Sequence, residues 1–170
     1  MAYSICSRYE GIISKKRRGV ALYVVTGGAF NGKKDWVLAE FALTSNRYDW
    51  FDLYKYTAYE WLPVTELENK IIVIQGIEQG VKQTLANDKK DASHFFNQYL
   101  LPLLKWEEVN VDRKVIIIGT DITKGVVPLN QETREWRDET GRLYQQLYQN
   151  AEEVYRIWFG MSQQLKSGRP

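Results

Sequence analysis

The sequence predicts a three-layer α/β domain in which a mostly parallel sheet is covered by helices on both faces. Three observations favour this class. Apolar runs rich in β-branched residues recur along the 170 residues and alternate with segments of helical periodicity. These runs are nearly continuous, which is typical of strands buried on both faces. A glycine turn joins the first run to the first helical segment, as in half of a parallel α/β unit.

The first predicted strand is Val20–Thr26, a run of β-branched, aromatic and aliphatic residues. Gly27 and Gly28 end it. A helix is predicted from about Lys33 to Leu43, because apolar residues there recur near helical spacing while polar residues occupy the other face.

The next stretch, residues 48–61, is dense in aromatic residues. We interpret it as irregular structure with a short strand near Tyr59–Trp61. Its rings have the shape to stack on a guanine or corrinoid face, but the stronger expectation is ordinary core packing.

Three further strands and three further helices follow. The strands are apolar and β-branched, and the helices show apolar stripes at helical spacing. The predicted strands are Lys70–Ile74, Lys114–Ile118 and Glu153–Phe159, the last closed by Gly160; the predicted helices are 77–86, 91–105 and 130–149.

Composition excludes several classes of protein. With 44% hydrophobic and 14% aromatic residues, the chain can bury a real core, so wholesale disorder is excluded. The net charge of +2 makes nucleic acid an unexpected partner. One cysteine and one histidine exclude an internal disulfide, a cysteine-based zinc site and a His-rich metal centre. No run approaches the ~20 apolar residues that span a bilayer, so we expect a soluble, cytoplasmic protein with no membrane partner.

Residues 1–19 differ in charge from the rest. They carry five basic residues and one acidic residue, which gives this segment a net charge of +4. Because the whole chain has a net charge of +2, the remainder has a net charge of −2. We interpret them as a basic, poorly ordered N-terminal extension ahead of a nucleotide-binding domain at residues 20–170. The alternative is an arm that touches RNA, DNA or an anionic surface.

The main functional pattern lies between the first predicted strand and helix. Gly27, Gly32 and Lys33 occupy the fixed positions of G-x-x-x-x-G-K. The glycines let successive N–H groups turn into one concavity, the lysine reaches the outer phosphates, and the helix adds its positive dipole end. We therefore predict a P-loop fold that binds ATP or GTP, in preference to a turn that merely joins strand to helix. The predicted nucleotide contacts are Gly27, Gly28, Ala29, Phe30, Asn31, Gly32, Lys33 and Lys34.

The loop departs from the usual pattern at its last position. A Ser or Thr hydroxyl that holds Mg²⁺ normally follows the lysine, and here the residue is Lys34. Mg²⁺ is still the expected metal, although this loop does not supply its usual ligand. Asp121 follows the predicted strand Lys114–Ile118 and is the predicted metal ligand. Lys33 and Asp121 are the predicted catalytic residues.

Three arginines on the predicted helix 130–149 form a second candidate group. Arg134 and Arg142 share one helical face, and Arg137 lies beside them. Guanidinium groups bind phosphate through fixed forks, so these residues are predicted phosphate or substrate contacts. The alternative is a helix surface with ordinary ion pairs between residues four apart.

The loop and a block downstream together resemble a known family. Gly27-Gly-Ala-Phe-Asn-Gly-Lys33 is similar to the G-G-A-x-x-G-K loop of the bifunctional adenosylcobinamide kinase/adenosylcobinamide-phosphate guanylyltransferases of cobalamin assembly. The block Gly125–Gln145 is similar to that family's G-[IV]-V-P-x-N-x-x-x-R-x-x-R-D-x-x-G-R-x-x-Q stretch. The resemblance covers about residues 20–166.

The resemblance implies a homotrimer with a nucleoside triphosphate bound between subunits and a corrinoid as second substrate. It implies two reactions: phosphorylation of the aminopropanol hydroxyl of adenosylcobinamide, and transfer of GMP from GTP to the resulting phosphate. The alternative is a member of the same fold that binds nucleotide but has lost catalysis.

The middle of the chain departs from that family. The family guanylylates a histidine after the first helix, whereas residues 43–69 contain none. His94 lies beyond the next strand and is expected to be a packed or surface residue. Gln75 stands where the family has a glutamate at a strand end, and Glu78 is nearby but shifted.

Overall fold

The computed structural model describes residues 22–44, 47–56 and 67–168, with the side chain of Asp88 excepted. The predicted N-terminal extension, the first two residues of the predicted strand Val20–Thr26, and the short strand predicted near Tyr59–Trp61 lie outside these residues. The proposed domain limits therefore stay a prediction.

Within the described residues, six strands form one sheet and helices cover it. The strands are β1 (Leu22–Gly27), β2 (Asp49–Asp52), β3 (Ile71–Gln75), β4 (Lys114–Ile118), β5 (Glu153–Trp158) and β6 (Met161–Lys166). The helices are α1 (Lys33–Glu40), α2 (Ile77–Asp88), α3 (Ala92–Phe95), α4 (Leu101–Glu108) and α5 (Gln131–Asn150), with a π-helical turn (Phe96–Leu100) between α3 and α4.

The sheet has the order β2-β3-β4-β1-β5-β6. The first five strands in this order are parallel, and β6 pairs antiparallel with β5 at one edge. In the centre, Val24 of β1 pairs with Ile117 of β4 and Val154 of β5. This confirms the mostly parallel α/β fold. The carboxyl ends of β1, β3 and β4 therefore lie along one edge, where an open α/β sheet binds its ligands.

The central strands are buried on both faces, as their continuous apolar runs predict. Val24 and Ile117 belong to the core cluster beneath α2, α3, α4 and α5, whereas the adjacent Val25 and Ile116 belong to the cluster beneath α1. Successive side chains of a strand point to opposite faces, so each strand contributes to two cores.

Several predicted boundaries differ from the structure. The first predicted helix extends to Leu43, but α1 ends at Glu40, because Ala42 has a positive φ of 47° and the Leu43 N–H bonds back to the Leu38 carbonyl. The second and third predicted helices end too early, at 86 and 105, whereas α2 extends to Asp88 and α4 to Glu108.

Two edge strands were not predicted. The stretch containing β2 was interpreted as irregular, although Asp49–Asp52 pairs with β3. The chain was expected to end its sheet at Gly160, but Phe159 and Gly160, both with positive φ, form a two-residue turn into β6. Edge strands bury little side-chain surface, so they lack the apolar runs that marked the central strands.

Gly27 provides a test of how closely the loop is packed against β5. Its φ is +152°, and a Cβ atom there would overlap the carbonyl oxygen of Ile157. We expect Gly27→Ala to lower the free energy of unfolding by roughly 2–5 kcal/mol, measured by urea denaturation. Gly125→Ala is the matched control, because Gly125 also has a positive φ (+95°) but faces open space. Equal losses in the two variants would contradict the packing argument.

Candidate functional site

The loop between β1 and α1 is fastened to the neighbouring hairpin. The Asn31 side chain is buried, and its Nδ2 donates to the Ile157 carbonyl at 3.2 Å. The Gly160 N–H donates to the Asn31 carbonyl at 2.9 Å. Phe30, at the tip, has a positive φ of 58° and is fully exposed. The loop is therefore held from one side, while its tip projects into solvent.

Lys33 folds back into this loop. Its Nζ donates to the carbonyl oxygens of Gly28 at 2.6 Å and Gly27 at 3.3 Å. Burial lowers the pKa of Lys33 below its ordinary value, and the negative charge of Glu78 opposes that shift. The ammonium group is thus already positioned within the glycine loop, where phosphate oxygens are able to replace the two carbonyls as its partners.

A cavity of about 400 Å³ opens in front of the loop. One side is the loop and the start of α1; the other is the carboxyl ends of β3 and β4 together with Tyr54. Its lining comprises Ala29, Phe30, Asn31, Gly32, Lys33, Lys34, Tyr54, Gln75, Gly76, Ile118, Gly119 and Thr120. Six of the eight predicted nucleotide contacts line this cavity; the other two, Gly27 and Gly28, do not.

Glu78 links three strand ends beneath the cavity. Its carboxylate is only 1% exposed; one oxygen accepts from the Tyr54 hydroxyl, and the other accepts from the Thr120 N–H at 3.0 Å. Glu78 lies in the first turn of α2, where the helix dipole favours a negative charge. Its backbone carbonyl also accepts from the Trp136 Nε1 at 2.7 Å. The residue therefore connects β2, α2, β4 and α5.

Tyr54 was not predicted as a site residue. Its ring packs against Gly76, where an added Cβ would lie 2.8 Å from Cε2, and Gly76 has a positive φ of 81°. A glycine directly after a buried strand is the only sequence signal for this close approach. Gly76 does not by itself identify Tyr54 as its partner, because the two residues are far apart in the chain.

Asp121 lies beside the loop. Its N–H donates to the Gly27 carbonyl at 3.0 Å, and its carboxylate accepts from Thr123 N and Oγ1 at 3.1 and 2.6 Å. Lys124 Nζ lies 3.2 Å from the other carboxylate oxygen. Burial acts to raise the pKa of Asp121, but the hydrogen bonds and charge from Thr123 and Lys124 outweigh it and hold the pKa below its ordinary value. The carboxylate is therefore ionised and already paired.

Two of the predicted arginines hold the segment before α5. Arg134 Nη1 donates to the carbonyls of Pro128 at 3.0 Å and Leu129 at 2.6 Å. Arg137 donates to the Thr123 and Val126 carbonyls. Arg142 forms an ion pair with Glu139. None of the three arginines lines the cavity, so their contact with a substrate phosphate stays a prediction.

Comparison with known proteins identifies a family for this chain. A family model described as CobU, cobinamide kinase / cobinamide phosphate guanyltransferase, matches residues 15–165. The chain belongs to this family. Its members are enzymes of cobalamin biosynthesis that act on a nucleotide and a corrinoid. No curated protein matches the chain. In the described part of the chain, no helix is both long and apolar enough to cross a membrane.

Gln75 stands where the CobU family has a glutamate, and His94 is the one histidine of a chain that lacks the family's guanylylated histidine. Gln75 lines the cavity, and its Oε1 is buried without a hydrogen-bond partner among the described residues. His94 lies on α3, outside the cavity lining, with Nε2 3.5 Å from Lys90 Nζ. Gln75 therefore lies in the wall of the cavity with a side-chain oxygen that is unpaired within the described part of the chain, whereas His94 does not line this cavity.

The Mg²⁺ expected for a CobU-family loop lacks a matching set of ligands. Lys34 supplies a cation where a hydroxyl is required, and Asp121 is paired with Lys124. A nucleotide-bound Mg²⁺ takes only one or two protein oxygens beside the phosphates, but the residue after Lys33 offers no oxygen and the Asp121 carboxylate is already paired. These two positions therefore do not fit a loop-bound Mg²⁺.

Proposed function

We propose that the protein transfers the γ-phosphoryl group of ATP or GTP to the aminopropanol hydroxyl of adenosylcobinamide. We further propose that it transfers GMP from GTP to adenosylcobinamide phosphate, with release of pyrophosphate. The observation that carries the proposal is the position of Lys33, inside a glycine loop at the end of β1 and facing a cavity of about 400 Å³. Membership of the CobU family supports the substrate class.

The cavity supports a positioning mechanism. Phosphoryl transfer requires that charge on the transferring group be stabilised and that the acceptor be held in line. Lys33 provides a hydrogen-bond donor, its Nζ, on the loop side. Tyr54, Gln75 and Thr120 line the opposite side, where their hydroxyl and amide groups suit an alcohol acceptor. In the first reaction the hydroxyl oxygen of adenosylcobinamide bonds to the γ-phosphorus while the bond between the γ-phosphorus and the β,γ-bridging oxygen breaks. The nucleoside diphosphate leaves, and the hydroxyl proton is released to solvent.

The second reaction is proposed to proceed without a guanylyl-histidine intermediate. The oxygen of the corrinoid phosphate attacks the α-phosphorus of GTP directly, and pyrophosphate leaves. The absence of histidine from residues 43–69 and the position of His94 outside the cavity lining support this route.

Incubation of the full chain with adenosylcobinamide and labelled ATP or GTP, with and without MgCl₂, tests the proposal. We expect labelled adenosylcobinamide phosphate, and with GTP also adenosylcobinamide-GDP. Nucleotide binding without either product would support a second candidate, a nucleotide-binding protein that lacks catalysis. Gln75 in place of the family's glutamate, and Lys34 in place of the hydroxyl residue, favour that candidate.

We also propose a homotrimer. The number of subunits is the one that the resemblance to the CobU family implies. An exposed apolar surface supports contact between subunits: Phe30 at the loop tip is 102% exposed and Phe159 in the β5–β6 turn is 72% exposed, and the two segments are joined through Asn31 and Gly160. Apolar surface of this kind beside a binding site is typical of protein interfaces. Sedimentation equilibrium showing only monomer would contradict this assembly.

A further inference from the structure

Lys34 occupies the position from which a hydroxyl group normally reaches Mg²⁺. It is the second residue of α1, directly after Lys33, and it lines the same cavity. Its Nζ lies 5.1 Å from the centre of the Trp50 ring on β2. The exposed side chain therefore lies beside the cavity, in cation–π contact with Trp50.

A divalent cation at this place is electrostatically disfavoured. An ammonium group has no lone pair for a metal, and it repels a cation held by the same phosphates. The nearby carboxylate, Asp121, is already paired with Lys124 at 3.2 Å. Two lysines, Lys33 and Lys34, therefore line the cavity, whereas other loops of this type combine one lysine with a metal.

We infer that this loop binds the triphosphate of a nucleotide without a divalent cation, and that Lys34 supplies the positive charge in place of the metal. The inference rests on the proposed nucleotide site. A cation–π contact at an exposed position is weaker than a charge-assisted hydrogen bond to phosphate. Lys34 therefore exchanges its Trp50 contact for a phosphate oxygen when the nucleotide binds.

Isothermal titration of the full chain with ATP tests the inference, in EDTA and in excess MgCl₂. We expect the wild-type protein to bind ATP at least as tightly in EDTA as in MgCl₂. Lys34→Ala should weaken binding in EDTA roughly tenfold. Lys34→Ser, which also restores the hydroxyl, should show the same loss in EDTA and bind ATP more tightly with MgCl₂ than without it.

Lys82→Ala is the matched control. Lys82 also contacts an aromatic ring, with Nζ 4.7 Å from the centre of Trp136, but it lies on α2 outside the cavity lining. We expect this variant to bind ATP as the wild type does under both conditions.

Wild-type binding of ATP that is tighter in MgCl₂ than in EDTA, beyond the error of the titration, would overturn the inference and leave the nucleotide site intact. Binding by Lys34→Ala that equals the wild type in EDTA would overturn it in the same way. Failure to bind ATP or GTP under either condition would overturn both the inference and the proposed function.

Discussion

Replacement of Lys33 with alanine is expected to weaken the binding of ATP and GTP by roughly 10- to 100-fold. Lys33 is half-buried in the glycine loop, and in the described structure its Nζ is bonded to two loop carbonyls, those of Gly27 and Gly28. A charge-assisted hydrogen bond to phosphate contributes about 1.5–3 kcal/mol, which corresponds to this range of affinity. Titration calorimetry with each nucleotide measures the change.

The fold should survive this substitution, because the lost contacts belong to the loop and not to either core. A melting temperature close to that of the wild type would show this. Lys70→Ala is the control: Lys70 pairs with Asp112 at the opposite, amino end of the sheet, where both side chains are exposed. If Lys33→Ala bound both nucleotides as the wild type does, the loop would not be the phosphate site.

Replacement of Glu78 with alanine is expected to lower the free energy of unfolding by roughly 2–4 kcal/mol. The substitution removes the acceptor of the Thr120 N–H and leaves the half-exposed Tyr54 hydroxyl with only Thr120 Oγ1, at 3.3 Å, as a partner among the described residues; it also opens space where the buried Glu78 side chain was. A buried donor that loses a charged acceptor costs about 1–3 kcal/mol. Urea denaturation measures the loss, and an unfolding free energy equal to that of the wild type would contradict the linking role assigned to Glu78.

The same substitution also predicts a change with pH. The charge of Glu78 raises the pKa of Lys33, against the lowering effect of burial. Without that charge the pKa of Lys33 falls further, so the ammonium group is lost at a lower pH. The decline of ATP affinity on the alkaline side should therefore begin at a lower pH in the variant.

Glu78→Gln separates the two effects of this residue. Its amide oxygen still accepts from Thr120 and the side-chain shape is kept, so most of the stability should be retained. The charge is lost, so the alkaline decline in affinity should shift as it does in Glu78→Ala. A pH profile identical to the wild type in both variants would show that Glu78 does not act on Lys33.

The sequence predicted the buried strands and the glycine loop, because each of them depends on residues that are close together in the chain. Continuous β-branched runs marked β3 and β4 to within a residue, because a strand buried on both faces tolerates little else. The glycine pattern identified the loop at Lys33, because a phosphate concavity requires glycines and a lysine at fixed spacing. The Arg134 and Arg137 side chains were correctly placed on one helix, but their carbonyl partners in the loop before it were not foreseen.

The other wall of the cavity was decided by the tertiary structure alone. Tyr54 meets Glu78 across 24 positions of the chain, and Glu78 meets Thr120 across 42. Contacts of this kind arise because parallel pairing brings the ends of β2, β3 and β4 to one edge. Periodicity and motif spacing carry information over a few residues, whereas sheet order sets which distant side chains share a cavity. The sequence by itself therefore determined the fold class and the position of the glycine–lysine loop, and only the packed sheet determined what faces that loop.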